Sequence, residues 1–307
     1  MHSNRSKGYI LSILATIFFC HIYIFSKKAM ELSTIPQFCF YWFGISFIIN
    51  STLLFATKKV KEITTTIKHH YKTLLLLGFL EIIITVSFFS AIHFIPNTAV
   101  TGMLGNLFPI FTTILGITVL KEQIHPLEYI GLIAAFIGII ITSFPEEASW
   151  VDFMNGGTIL IIINCLTAAI ATIIIKHKIQ KIPPFLLNTN RAIALFIYAI
   201  SALVLTDATL EVPQAAMTNI VIGAIIGPVI AINLVYYSLK YIEASRATVV
   251  QSSKGLVLIL CTYLYWGELP KLYQVIGGVV TLLGLLHMSY IENREHKRRK
   301  QQKVQKA

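Results

Sequence analysis

Charge is scarce in this chain. Only 13% of its 307 residues are Asp, Glu, Lys or Arg, against roughly 25% in a soluble globular domain, so an ordinary water-facing enzyme surface is excluded. Acidic side chains are the scarcer kind, 14 against 25 basic ones. Cysteine is also sparse: Cys20, Cys39, Cys165 and Cys261 all lie inside apolar stretches and form no CxxC or Cys/His pattern, which excludes a zinc finger and a disulfide framework. No HExxH, G-x-S-x-G or P-loop spacing occurs, so the sequence supports no catalytic assignment and no cofactor. The basic residues sit between apolar runs and not on an aromatic-interleaved face, which argues against a nucleic-acid partner.

What the chain has instead is long apolar runs. Hydrophobic residues make up 55% of it and its mean hydropathy is +0.72. Runs of helix length fall at 8–26, 36–56, 73–92, 98–120, 126–144, 156–175, 185–205, 218–239, 245–266 and 272–290, and about 20 apolar residues cross a bilayer. Strands of a membrane barrel would be shorter and would alternate polar with apolar, so the expected fold is an all-α integral membrane bundle of ten transmembrane helices. The first run follows Arg5 and Lys7, is longer than a signal-peptide core and lacks an A-x-A cleavage site, and so reads as a retained helix.

Positive loops stay cytoplasmic. With the N-terminus inside, the inner segments carry Arg5, Lys7, five lysines from Lys58 to Lys72, Lys121, Lys176, Lys178, Lys181, Lys240, Arg246 and seven basic residues of the tail, whereas the outer loops hold only Lys27, Lys28 and Lys271. Both termini are therefore expected in the cytoplasm, in a multi-pass protein of the inner (plasma) membrane. The tail from Arg294 to Lys306 enforces this topology or attracts anionic lipid.

An internal repeat organises the chain. Glu122, Gly131 and Gly138 recur as Glu268, Gly277 and Gly284 at one offset of 146 residues, and the run Phe89 to Ile95 resembles Tyr236 to Ile242 at an offset of 147. Two halves of five helices follow. Because five is odd, the second half enters the membrane from the other side, which makes the repeats inverted and favours alternating access around a midplane site. The expected divisions are a cytoplasmic N-terminus (1–7), a first five-helix repeat (8–144), an external linker (145–155), a second repeat (156–290) and a basic cytoplasmic tail (291–307).

The order of Pro109, Lys121, Glu122 and Gly131 in the first half, and of Gly267, Glu268 and Gly277 in the second, resembles the drug/metabolite transporter superfamily, EamA type. Phe19 to Lys27 resembles that family's first-helix segment, which ends in a lysine. The resemblance covers nearly the whole chain and implies a central cavity lined by helices one, three, four, six, eight and nine. The chain departs from the pattern at Lys254 and Gly255, which stand where the first half has Phe108 and Pro109.

An ionisable group deep in a membrane is a functional hypothesis by default. Lys254 lies ten residues inside helix nine beside Gln251, Ser252 and Ser253; it binds a substrate carboxylate or phosphate, or else pairs with Glu81 or with helix-terminal carbonyls. Glu81, in the middle of helix three, takes up a coupling proton or holds a lysine partner. Arg191 stands near a helix end and is expected to reach the headgroups. The resemblance places His21 among the lining residues, and Tyr237 and Asn106 join the candidate substrate contacts. Glu122 and Glu268 stand at helix ends, each favoured by the positive start of the helix that follows, as structural groups that help to gate each side. Gly223, Gly227 and Pro228 read as packing and hinge devices.

The expected function is secondary transport of a small organic metabolite, with export of an amino acid or related carboxylate first. An exporter of drugs or cations and a non-transporting receptor or scaffold are the alternatives. The expected partners are a small-molecule substrate and the lipid bilayer, with proton coupling and a homodimer left open, and no metal.

Overall fold

The computed structural model describes residues 2–94, 104–144, 156–254, 257 and 271–305. Glu268, Gly255, Gly267 and the linker 145–155 lie outside the described residues. Among the described residues ten helices follow one another: α1 (His2–Met30), α2 (Ile35–Thr57), α3 (Val60–Phe94), α4 (Leu107–Thr118), α5 (Pro126–Thr142), α6 (Gly156–Lys178), α7 (Pro184–Leu205), α8 (Gln214–Ser238), α9 (Ala244–Ser252) and α10 (Leu272–Gln305). Seven of them are long and apolar enough to cross a membrane, and α4 and α5 are shorter apolar helices.

Helix starts follow local chemistry. Thr34 caps α2 reciprocally with Gln37, and His125 does the same for α5 with Glu128, each with a proline in the first turn, where its missing N–H costs nothing. Several helices outrun their apolar segments. α1 begins at His2 and not near residue 8, and α10 continues through the basic tail to Gln305, because backbone hydrogen bonding does not stop where the hydrocarbon does. α3 begins at Val60, thirteen residues before the expected start, and its backbone breaks at His70 (φ −121°, ψ 15°). The break divides a polar first segment from the apolar remainder.

α8 is interrupted by a π-helical stretch, Ile225–Ala231, around Pro228. Proline removes one N–H and displaces the carbonyl of the preceding turn, and in an apolar bundle the released groups need side-chain partners. Asn188 of α7 donates to the Pro228 carbonyl at 2.7 Å and to Asn50 Oδ1 at 3.0 Å. Asn233 donates to the same Asn50 oxygen at 2.8 Å and to the Val229 carbonyl at 2.7 Å. Three buried asparagines thus tie α2, α7 and α8 together at the kink.

Across the bundle α5 packs chiefly on α10, α2 on α7, α3 on α6 and α7, α4 on α6 and α9, and α1 on α8 and α9. The α5–α10 crossing is antiparallel and made by glycine. A Cβ on Gly138 would stand 2.5 Å from the Gly277 carbonyl oxygen and from Thr281 N, and one on Gly284 would stand 2.5 Å from Gly131 O and Ala135 N. Such close approach supplies the van der Waals contact that replaces the hydrophobic effect inside lipid.

Gly138→Ala is therefore expected to destabilise the protein by about 1–3 kcal/mol, the usual cost of overpacking, read as a lower unfolding temperature in detergent. Gly156→Ala, whose added Cβ meets nothing within 4 Å, is the control and should leave that temperature in place.

Candidate functional site

A cavity of about 480 Å³ opens in the middle of the bundle, lined from α1, α2, α3, α4, α6, α7, α8 and α9. The family pattern led us to expect six helices; α2 and α7 also contribute. Most of the wall is apolar or aromatic, with Phe19, Trp42, Phe43, Phe88, Phe108 and Tyr236 prominent. Three charged side chains reach it: Glu81, Arg191 and Lys254.

Glu81 and Arg191 form an ion pair, Arg191 Nε donating to Glu81 Oε2 at 3.0 Å, with side chains only 12% and 19% exposed. Arg191 thus does not reach for the headgroups. Pairing inside the bundle is favoured because an unpartnered charge there costs several kcal/mol. The pairing of Lys254 with Glu81 is not found either, since Glu81 has Arg191 as its ion-pair partner. Among the described residues no carboxylate lies within ion-pair distance of Lys254, whose side chain is exposed to the cavity. Its backbone carbonyl accepts from Cys20 Sγ at 3.3 Å, which fixes the end of α9 against α1.

Of the other sequence candidates, Gln251 and Asn106 line the same cavity. Gln251 Nε2 donates to the Ala247 carbonyl at 3.1 Å, and Asn106 Nδ2 to Ser143 Oγ at 3.1 Å. Ser253, His21 and Tyr237 are not among the lining residues: Ser253 Oγ bonds back to the Val250 carbonyl at 2.7 Å and His21 Nδ1 lies 2.9 Å from the Ile17 carbonyl. Tyr237 lines a separate groove, because successive residues of a helix point about 100° apart and its neighbour Tyr236 takes the cavity.

A family model, the EamA-like transporter family, matches residues 6–144 and again 155–290. The chain belongs to the EamA-like transporter family. It is 28% identical over 219 residues to sll1164, an uncharacterized transporter of Synechocystis, a match covering 67% of this chain and 61% of that protein. It is 28% identical over 189 residues to an uncharacterized transporter of Archaeoglobus fulgidus (62% and 67% of the two chains) and 24% identical over 261 residues to the uncharacterized transporter YyaM of Bacillus subtilis (80% and 82%). The chain thus spans only about three fifths of the length of the Synechocystis relative. One solved structure superposes with a TM-score of 0.77 over 94% of this chain and 98% of its own at 13% identity, which establishes a shared fold. This EamA-like protein is accordingly a multi-pass membrane protein of a transporter family.

The face of this EamA-like bundle that carries the chain's start is closed by charge. Lys121 adopts a left-handed backbone (φ 54°), which turns the chain sharply after α4 and presents Glu122. That carboxylate does not serve the following helix, as expected from its position, because His125 and Glu128 already cap α5. It crosses to α9, accepting from Ala244 N at 2.7 Å, Ser245 N at 3.2 Å and Ser245 Oγ at 2.5 Å. The N-cap residue of α9, Glu243, makes no side-chain cap bond of its own, so Glu122 satisfies N–H groups that would otherwise be orphaned. Gly116 leaves the space: a Cβ there would fall 2.6 Å from Glu122 Oε2.

Next to it, buried Arg246 donates to Glu128 Oε2 at 2.7 Å and meets Glu243 Oε2 at 2.7 Å, while Arg5 of α1 reaches Glu243 Oε1 at 3.4 Å. Lys176 closes the end of α8 by donating to the Leu239 and Ile242 carbonyls at 2.7 and 2.6 Å. Sequence reasoning counted Arg5, Arg246 and Lys176 only as topology signals. The clue for Arg246 was its place inside the 245–266 apolar run.

Arg246→Leu should cost about 3–5 kcal/mol, because it strands Glu128 in the interior. Arg246→Leu with Glu128→Leu should regain most of that loss in thermal unfolding. The Glu243 carboxyl carries a pH dependence. Burial works to raise its pKa, but Arg246 and Arg5 outweigh burial and hold it below the ordinary 4.5. This contribution is full above the ordinary value and is lost as pH falls through the depressed one, so stability should decline in acid below about pH 4.5 and decline less in Glu243→Gln.

Proposed function

We propose that this EamA-like protein is an inner-membrane secondary transporter that exports an amino acid or a related small carboxylate by alternating access. The observation that carries the reading is Lys254, a cation facing an aromatic cavity with no carboxylate partner among the described residues. A desolvated site attracts the opposite charge, and the substrate carboxylate supplies it. Gln251 and Asn106 provide directional hydrogen bonds nearby, and the aromatic wall covers the organic part of the substrate.

Glu81 and Arg191 act as the coupling pair. Protonation of Glu81 neutralises one half of the ion pair and frees the Arg191 guanidinium, which is suited to bidentate binding of a carboxylate. A proton on Glu81 then favours a carboxylate on Arg191, and one arginine links the two.

The arrangement of helices supports two inverted halves that rock about the cavity. Gly131 with Met288 N and Gly277 with Thr142 N are equivalent contacts under the 146-residue offset, as are Gly138 with Thr281 N and Gly284 with Ala135 N. The basic loops support a cytoplasmic side for both termini, and on that reading the network of Arg5, Glu122, Glu128, Glu243 and Arg246 is the cytoplasmic gate in its closed position. Export requires that it open. Glu268, at the repeat position of Glu122, serves the opposite gate.

Thermal unfolding of the purified protein with a panel of amino acids, other carboxylates and cationic compounds tests the reading, since a ligand of the native state stabilises it by mass action. A carboxylate should raise the unfolding temperature. Lys254→Ala should weaken its apparent affinity at least tenfold and abolish proteoliposome transport at unchanged abundance. Glu81→Gln should keep binding and lose the response of transport to a pH gradient. Normal transport and affinity in Lys254→Ala sinks the anion site, and stabilisation by cations alone moves the site to Glu81.

A further inference from the structure

A second recess, larger than the central cavity at about 870 Å³, lies where α2 ends, α3 begins, α6 turns into α7 and α8 ends. Lys58, Lys59 and Lys61 stand on one wall and Lys181 and Lys240 on the other, with Glu62 the only acidic lining residue among the described ones. Glu62 is taken up by Lys58 at 3.5 Å. Among the described residues the other four lysines have no carboxylate within ion-pair distance; Lys240 rests over the Tyr237 ring at 5.6 Å. Unneutralised like charges on two facing walls repel each other, and a shared counter-anion removes that repulsion.

Between the lysines, apolar side chains share the wall with the neutral polar Thr57, Thr65, Thr66 and Gln180. Ile63, Ile182, Leu186 and Tyr237 line it, and Ile63 and Ile182 belong to the buried core. The polar first segment of α3, before the break at His70, forms one side. A site with a basic rim, an apolar floor and a position where helices leave the hydrocarbon matches an amphiphile whose head is anionic.

We propose that this groove is a binding site for an anionic phospholipid of the membrane leaflet on this side, the phosphate held between Lys59 and Lys61 on one wall and Lys181 and Lys240 on the other, with an acyl chain along the apolar floor. Basic pockets between membrane helices bind such headgroups. The site is distinct from the substrate cavity, as the adjacent residues Tyr236 and Tyr237 face the cavity and the groove respectively. The lipid thereby bridges α3 to the α6–α7 turn.

Native mass spectrometry of the full chain in detergent, titrated with phosphatidylglycerol, phosphatidylcholine or inorganic phosphate, tests the proposal. Lys59→Gln/Lys61→Gln/Lys181→Gln/Lys240→Gln should retain phosphatidylglycerol at least tenfold less well. The matched tail variant Arg298→Gln/Arg299→Gln/Lys300→Gln/Lys303→Gln should stay within twofold of the parent, and phosphatidylcholine should bind weakly to all three. Should the fourfold groove variant fail to fold, Lys59→Gln/Lys181→Gln, one residue from each wall, should still lower retention at least threefold. An equal fall in groove and tail variants overturns the proposal in favour of bulk charge. So does phosphatidylcholine bound as tightly as phosphatidylglycerol, and inorganic phosphate that displaces the lipid at equal concentration identifies a soluble-anion site instead. None of these readings depends on transport.

Discussion

Inside a bilayer no water is available to satisfy a polar group, and every backbone N–H or carbonyl released by a helix end or a proline has to find a side chain. Most of the long-range order of this bundle follows from that requirement. Around Pro228 the Asn188 and Asn233 amides donate to α8 carbonyls, and Asn50 of α2 accepts from both. α9 starts without a cap of its own, and Glu122 arrives from the α4–α5 turn. α8 ends, and Lys176 arrives from α6. Apart from the Asn233–Val229 bond within α8, these bonds join elements distant in sequence, so the pairing demand is also what selects which helices meet.

The same demand makes one face of the protein unlike the other. At the face carrying the start of the chain, Arg246 touches carboxylates from two sides, and removal of one partner strands the rest. Such a network is stable as a set and costly to break singly, a property suited to a gate with two discrete positions. Deeper in, the Glu81–Arg191 pair is the only other described ion pair in the bundle interior, and it borders the cavity. Lys254, by contrast, faces the cavity with no carboxylate within ion-pair distance among the described residues.

What the sequence made legible follows from range. Seven of the ten expected spans were legible because bilayer thickness imposes a length on each apolar run, and the glycines at 131, 138, 277 and 284 were legible as a repeat although their mutual contact was not. Helix ends were not, since hydropathy marks the hydrocarbon and not the last hydrogen bond: α1 and α3 run past it. The Arg246–Glu128 pair joins residues separated by 118 positions, which no local pattern encodes. For Lys254 and Glu81 the depth was readable from position in the run, but the partner was not; Glu81 took an arginine expected at the headgroups. Of the candidate contacts, Gln251 and Asn106 reached the cavity and Ser253 and Tyr237 did not, a difference of one residue of helical phase each, below what an uncertain helix boundary resolves.

The repeat also explains the polarity of the cavity. Residues one offset of 146 apart line it in pairs: Gly105 with Gln251, Asn106 with Ser252, Phe108 with Lys254. In position the two halves contribute alike; in chemistry they do not. At the α4 pole the pair members are glycine, asparagine and phenylalanine, and at the α9 pole they are glutamine, serine and lysine. A site whose two walls come from equivalent places but carry opposite character distinguishes the ends of an elongated, amphipathic ligand, because a reversed ligand would leave the lysine facing apolar surface and an anionic head facing phenylalanine. Burying that unpaired charge costs more than the apolar contacts return. Under the proposed anion-site reading, orientation of the substrate is set at one pair of repeat-related positions, Phe108 and Lys254.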